Sequence, residues 1–289
     1  MKNKSFAVFI LSHGRANNVI TIKTLREMGY KGKIYIIIDN EDDQIEEYKK
    51  LKDIEDVIVF DKLEEMKYTD TADNFKDHRL VVYARNKCHD IAKELGLEYF
   101  LELDDDYTSF GIRYNDKGTL KRVKINNIEK LFDSFINFLE VSGALTVAFA
   151  QGGDYIGGVG SKVWKEKLSR KAMNCFFCKT DRPFKFSGST NEDVNAYITY
   201  GNKGKLMFTI ADICMDQLQT QSNPGGLTDI YLDNGTYVKS FYSVIHQPQC
   251  VKISTMGNKF RRIHHKILWD KCTPKILNEK YKRKWLNGR

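Results

Sequence analysis

The amino-acid sequence predicts an α/β fold in which a mostly parallel central sheet is flanked by helices. Over the first hundred residues, short continuous apolar runs, as in buried strands, alternate with apolar positions spaced three to four apart, as in helices. The strand candidates end in polar clusters, where open parallel sheets place their ligand crevice. At 289 residues and 42% hydrophobic, the chain can also bury a core of its own as one large domain.

Taken in order, Phe6 to Leu11 is an unbroken apolar run and the first strand. Val19, Ile22, Leu25 and Met28 recur at helical spacing, Gly29 follows as a C-cap, and Ile34 to Ile38 is the second strand. Ile45, Tyr48 and Leu51 mark one helix face before the strand Val57 to Phe60. Val81, Ala84, Cys88, Ile91 and Leu95 form a long amphipathic helix that Gly96 ends, leading into the strand Tyr99 to Leu103. This alternation makes a nucleotide-binding α/β half. Beyond residue 110 the pattern loosens, with helices expected near Ile128 to Val141 and Asp193 to Tyr200 and a glycine-rich stretch from Gly152 to Gly160.

No segment approaches the roughly twenty apolar residues of a membrane span, and the apolar run before Ser12 is short and lacks a cleavage site. A cytoplasmic protein with no membrane partner is expected. The six cysteines keep no regular spacing, so reduced thiols are expected; Cys175 and Cys178 lack the second pair a zinc site needs. Charge is uneven: residues 259–289 hold eleven Lys or Arg against Asp270 and Glu279, whereas the rest of the chain holds 35 basic and 36 acidic residues. The chain is therefore divided into a core, 1–258, and a basic C-terminal segment, 259–289, suited to phosphates of a nucleotide or a nucleic acid. On composition alone, a solvated helical tail fits equally.

Three strand ends carry chemistry: Ser12-His13-Gly14-Arg15, Asp39-Asn40-Glu41-Asp42-Asp43 and Asp104-Asp105-Asp106. Three adjacent carboxylates at the mouth of a sheet repel one another unless a cation neutralises them, and a hard metal with oxygen ligands does so. Mn²⁺ or Mg²⁺ on Asp104 and Asp106 would bridge a nucleotide diphosphate. Ser12, His13 and Arg15 fit a nucleotide contact after the first strand, and Asp39 suits a hydrogen bond to base or ribose. Asn191-Glu192-Asp193 reads as a helix start with acids on the favourable end of the dipole.

Tyr83-Ala84-Arg85-Asn86-Lys87 resembles the Ala-Arg-Asn element that precedes the metal-binding Asp-x-Asp of GT-A glycosyltransferases, some twenty residues before the acids. The resemblance implies a GT-A fold with a nucleotide-sugar donor, a UDP-sugar being expected, and places Arg85, Asn86 and Asp104 on that donor. It implies Asp193, beside Glu192, as the general base that takes the acceptor proton. It also implies a C-terminal histidine at the metal. Phe260-Arg261-Arg262-Ile263-His264-His265-Lys266 offers His264 as that ligand, with Arg262 and His265 on the donor and His246 as a lesser alternative. Gly152 to Gly160, which has neither Walker nor dinucleotide spacing, becomes backbone near the donor sugar.

The order of Arg85-Asn86, Leu103-Asp104-Asp105-Asp106 with Phe110 and Arg113, Asn191-Glu192-Asp193, Asn223-Pro224-Gly225-Gly226, and Arg262-Ile263-His264-His265 with Trp269-Asp270 resembles the phage glycosyltransferases associated with TET/JBP-type oxygenases. That resemblance implies DNA carrying hydroxymethylpyrimidines, hydroxymethylcytosine among them, as acceptor, and the host cytoplasm as location for a phage-encoded chain. Pro224 before the glycines and the basic tail depart from the pattern. A GT-A enzyme with a glycan or protein acceptor shares every donor-side residue, and a nucleotidyltransferase would also want an acidic metal cluster. A non-catalytic nucleic-acid module would not need two acidic motifs. Sugar identity, stereochemical outcome and oligomeric state are not legible in the sequence.

Overall fold

The computed structural model describes residues 5–73, 78–218, 238–256 and 261–274. Its first half follows the expected alternation, with one short helix, α3, that was not expected: β1 (Phe6–Leu11), α1 (Ile20–Glu27), β2 (Lys33–Asp39), α2 (Ile45–Tyr48), β3 (Asp56–Phe60), α3 (Lys62–Met66), α4 (Val81–Glu94) and β4 (Tyr99–Asp104). Then come β5 (Tyr107–Asp116), β6 (Thr119–Lys124), α5 (Ile128–Ser142), β7 (Thr146–Ala150), α6 (Lys162–Glu166), β8 (Leu168–Ser169) and β9 (Phe176–Lys179). The described chain closes with α7 (Glu192–Asn202), β10 (Met207–Gln217), α8 (Lys239–His246), β11 (Val251–Met256) and β12 (Arg262–Ile267).

One large sheet has the order β3-β2-β1-β4-β9-β7-β10-β5-β6, with β8 added beside β10. Pairing is parallel from β3 through β4 and between β7 and β10, and antiparallel at every other junction of this sheet. The sheet is thus mixed, not mostly parallel as expected. The physical reason is that β9 inserts between β4 and β7 in the opposite direction, and that β5 and β6 form a hairpin. A two-residue turn closes the hairpin: Lys117 and Gly118 both have positive φ, 50° and 87°, the backbone that matches the twist of two antiparallel strands.

The core lies on both faces of this sheet. Phe6, Phe132, Phe135, Phe149 and Phe177 interlock with ring centroids 4.7 to 6.4 Å apart, joining β1, β7 and β9 to the apolar face of α5. Asn127 caps α5 by accepting a hydrogen bond from the Lys130 amide, and Gly143, with φ 66°, ends it. A smaller cluster of Ala150, Tyr155, Trp164 and Cys214, with Leu120 and Val159 against it, packs beyond the main core.

Register sets what stands beside what. Leu101 and Val147 both pair with Phe177, so Asp104 and Ala150, each three residues on, end their strands at the same level. Cys214 pairs with both Ala150 and Gly111, and Gly111 with Lys124, extending that row to the far edge of the sheet. The hairpin of β11 and β12 forms a separate sheet packed on α8. The division expected after residue 258 falls between its two strands. Among the described residues, no helix is long and apolar enough to cross a membrane.

Candidate active site

The three aspartates that follow β4 have three different environments. Asp105 is buried and accepts hydrogen bonds from Ser12 Oγ at 2.5 Å and from Arg15 Nη1 at 3.2 Å. Since the Arg15 amide donates to Tyr48 Oη and Ser12 Oγ lies 2.7 Å from that oxygen, one consistent chain runs from the amide through Tyr48 and Ser12 to Asp105. Burial raises the Asp105 pKa, with Ser12 and Arg15 opposing. Asp104 is the aspartate held by the buried cation: its Oδ1 accepts from Arg85 Nη2 at 3.0 Å, and its side chain stays 27% exposed. Asp106 Oδ1 is buried with no hydrogen-bond partner among the described residues, and its pKa is pushed up to about 7 by burial and then by Asp104 and Asp105.

Arg85 lies one turn into α4, where the helix turns it beneath the end of β4. It is 3% exposed and sits over the Phe176 ring at 5.1 Å. Its fork spans two acids, Nη2 to Asp104 and Nε to Glu192 at 3.1 Å, with Glu102 3.9 Å from Nη1. Although burial opposes its charge, Asp104 and then Glu192 raise its pKa. Glu102, mid-strand and fully buried, is pushed up to about 8 by desolvation despite Arg85, so it holds its proton at neutral pH. A guanidinium so buried and so engaged ties the two acidic motifs to each other, where the resemblance expects Arg85 on the donor. Asn86, also expected on the donor, packs against a loop. Buried, it exchanges hydrogen bonds with the Phe186 backbone and donates to Thr69, pinning a loop.

At the start of α7, Asn191 takes a left-handed backbone with φ 56°. That turn brings Glu192 to Arg85 and Asp193 into a buried position, accepting from the Val194 amide at 2.6 Å. Burial, then the neighbouring Glu192, push Asp193 up to about 7. Asn191 Nδ2 also donates to the Lys239 carbonyl at 2.9 Å and lies 3.2 Å from His265 Nδ1, which fastens α8 and β12 against this helix end. Burial lowers the Lys239 pKa against Asp193, with Arg262 also lowering it. His265 is driven down to about 4 by burial and by His264, whose own pKa is lowered by burial and then by Arg262 and Lys239. Asp193 thus has Lys239 as a neighbouring cation, with Arg262 beside Lys239 and His265 against Asn191.

The end of β2 builds a second polar group. Asp39 meets His13 Nδ1 at 3.1 Å and Lys62 Nζ at 2.8 Å and accepts from the Glu41 amide. Burial would raise Asp39, but His13 and Lys62 outweigh it and hold it low; the Asp39 hydrogen bond chiefly raises His13 in return. Asp42 accepts from the Gly14 amide at 2.8 Å, closing the turn after β1. With Asp39 so engaged, His13, its side chain 37% exposed, is the more accessible group of the two.

Asp104, Asp106 and His264 do not gather as expected: among the described residues, no three His, Cys, Asp or Glu side chains are placed to hold a metal ion. Asp104 is drawn to Arg85, and His264 pairs with His265, ring centroids 4.3 Å apart, beside Arg262. The aspartates alone still fit one kind of cation. Mg²⁺ in phosphate chemistry keeps waters and needs only one or two carboxylates plus substrate oxygens, and Asp106 has the orphaned oxygen such an ion would relieve. His246, the lesser alternative, lies at the opposite end of α8 from Lys239; its Nε2 is buried without a partner among the described residues, near Gly188. Lys239 is absent from the sequence reading because it sits in no motif. Asn223-Pro224-Gly225-Gly226 and most of the basic tail lie outside the described residues.

A family model described as TET-Associated Glycosyltransferase matches residues 6–226, which take in both acidic motifs, Arg85 and the whole large sheet. No curated protein matches the chain. With most of its length matched, the chain belongs to the TET-associated glycosyltransferase family.

Proposed function

We propose that this glycosyltransferase moves a sugar from a nucleotide-sugar donor, with UDP-sugars first to test, to the hydroxyl of a hydroxymethylpyrimidine in DNA, using a GT-A type arrangement. The observation that carries the reading is the tie through Arg85: it joins the acidic end of β4 to the acidic start of α7, opposite the cations of α8 and β12.

Asp193 has the properties of a general base. Burial and the neighbouring Glu192 raise its pKa above that of an ordinary carboxylate, which makes it a stronger proton acceptor. In a single displacement the acceptor O–H proton passes to Asp193, the oxygen bonds to the anomeric carbon, and the bond to the diphosphate breaks. Glu192, held by Arg85, keeps negative charge beside Asp193 and so keeps its proton affinity high. Lys239 and Arg262 offer positive charge to the diphosphate, and Ser12, His13 and Arg15 stand at the nucleoside end. Asp104 and Asp106 would hold Mn²⁺ or Mg²⁺, which when bound stabilises charge on the departing diphosphate.

Thermal melting with a panel of nucleotide sugars, with and without Mn²⁺, tests the donor half. A ligand at a hundredfold excess over its Kd stabilises by about 2.7 kcal/mol, a shift of a few degrees. One donor should raise Tm, further with Mn²⁺, and Asp104→Asn should abolish the Mn²⁺-dependent part. No shift with any donor, with or without metal, would contradict it.

A further inference from the structure

The basic tail is not the one concentration of positive charge. Residues 111–124 and 151–171 hold ten Lys or Arg against Asp116, Asp154 and Glu166, and the fold brings these two segments together. Leu120 of β6 and Val159 pack on the small cluster of Tyr155 and Trp164, so the β5–β6 hairpin, the glycine-rich turn and α6 form one body at the sheet edge. Lys167 Nζ lies over the Trp164 ring and Arg113 over Tyr155 at 4.7 Å. Five cations are ion-paired: Lys121 with Asp116, Lys162 with Glu166, Lys171 with Asp154, Lys167 with Asp212 and Arg122 with Asp216. Lys117, Lys124 and Lys165 are exposed and make no ion pair with a described residue.

Two further features give this body a direction. Gly157 and Gly158, with φ 94° and 59°, turn the chain sharply and leave Ile156 76% exposed ahead of them. Neither position suits a residue with a Cβ, and an apolar side chain held out among cations suits a groove between charged backbones. The register also places Lys124 in the row that passes through Asp104, five strand spacings away, or about 24 Å. That separation is under one turn of duplex DNA, about 34 Å, so backbone held at Lys124 leaves a base within reach of the acidic end.

We infer that this face, formed by β6, the turn carrying Ile156 and α6, is a docking platform for duplex DNA, with Lys117, Lys124 and Lys165 on backbone phosphates and Ile156 in a groove. The inference rests on the DNA acceptor reading and assigns the duplex to a surface other than the C-terminal tail. Phosphate contacts release counterions, so each one lost lowers the steepness of log affinity against log salt by about 0.9. An apolar contact lowers affinity without changing that slope.

The test is fluorescence anisotropy of a labelled 30-base-pair duplex against the full chain across a salt series. Wild type is compared with Lys117→Ala/Lys124→Ala/Lys165→Ala, with Ile156→Ser, and with Lys280→Ala/Lys282→Ala/Lys284→Ala in the tail. Donor-induced thermal shifts check that each variant is folded. The platform triple variant should lower the slope by about 2 to 3, while Ile156→Ser should weaken binding several-fold at every salt concentration with the slope kept. If the platform variants bind as wild type does and the tail variant alone loses the slope, the platform is wrong and the DNA reading stands. If wild type binds no duplex, both fail.

Discussion

Replacing Arg85 by Met removes the cation that bridges Asp104 and Glu192. The guanidinium is 3% exposed and donates to both carboxylates at 3.0 and 3.1 Å, so solvent does not replace it. Breaking a buried ion pair from one side costs about 3–5 kcal/mol, because the partners stay buried without compensation. With an unfolding entropy of roughly 2.1 cal/mol/K per residue, a chain this size loses about 5–8 °C of Tm for that cost. Arg85→Lys should fall between, since one ammonium cannot span two acids. A control at Lys23→Ala, whose partner Glu27 is 3.8 Å away at an exposed i,i+4 position, should stay within about 1 kcal/mol. Calorimetry supplies the numbers, and the rate against pH supplies the readout that mere destabilisation does not move. Without the positive charge that lowers it, the Asp193 pKa should climb, shifting the rate midpoint alkaline. If Arg85→Met melts within a degree of wild type with an unchanged pH profile, the tie is not there.

Further outcomes follow from the same groups. Asp193→Asn should cut transfer on the order of 10²-fold or more while donor binding holds, and wild-type rate should rise with pH through about 7, since the base must be ionised. Equal loss of donor affinity would move Asp193 into the donor site. His89 is buried between Phe100 and Phe184 with both ring nitrogens unpartnered among the described residues, and burial lowers its pKa from 6.5 to about 4. Its folded pKa is below its unfolded one, so the stability it contributes is complete above pH 6.5 and is lost as pH falls toward 4; that is about 3 kcal/mol. His89→Leu should flatten the acid limb of Tm against pH, and an unchanged limb would refute the assignment. Glu102 has the opposite sign: its pKa rises from 4.5 to about 8, so the stability tied to its proton is present below 4.5 and drains as pH rises to 8. Glu102→Gln should therefore stabilise at pH 7 more than at pH 5; a uniform loss at both would contradict a protonated Glu102.

The half of the fold written in local periodicity was legible. β1 through β4 and the helices α1, α2 and α4 follow from apolar spacing because each is a contiguous segment whose burial repeats at its own period, whereas the short α3 lies in a polar stretch that gives no such sign. The direction of β9 was not, since four residues carry no local mark of which strands they will separate. The β5–β6 hairpin left one overlooked sign, Asp116-Lys117-Gly118 between alternating residues. At the site, the positions of the two acidic motifs were legible, but their internal division of labour was not. Asp104, Asp105 and Asp106 are one chemical type in a row, and only the tertiary partners Arg85, Ser12 and Arg15 tell them apart. The sequence shows the charge of Arg85 but not that the fold pairs it with Asp104 and Glu192. Lys239 follows residues outside the described structure and carries no pattern, so only its approach to Asp193 reveals it.

The central claim, sugar transfer to a modified base in DNA, is met most directly by mass measurement of the product. The full chain is incubated with Mn²⁺, a panel of nucleotide sugars, and DNA containing either hydroxymethylcytosine or cytosine, then the DNA is digested to nucleosides and weighed. The account predicts a hexose- or pentose-sized gain on hydroxymethylcytosine alone, with one donor, and its loss in Asp193→Asn. A gain on free glycans or protein, with none on hydroxymethylated DNA for any donor, would contradict the DNA assignment and leave a glycosyltransferase with a different acceptor.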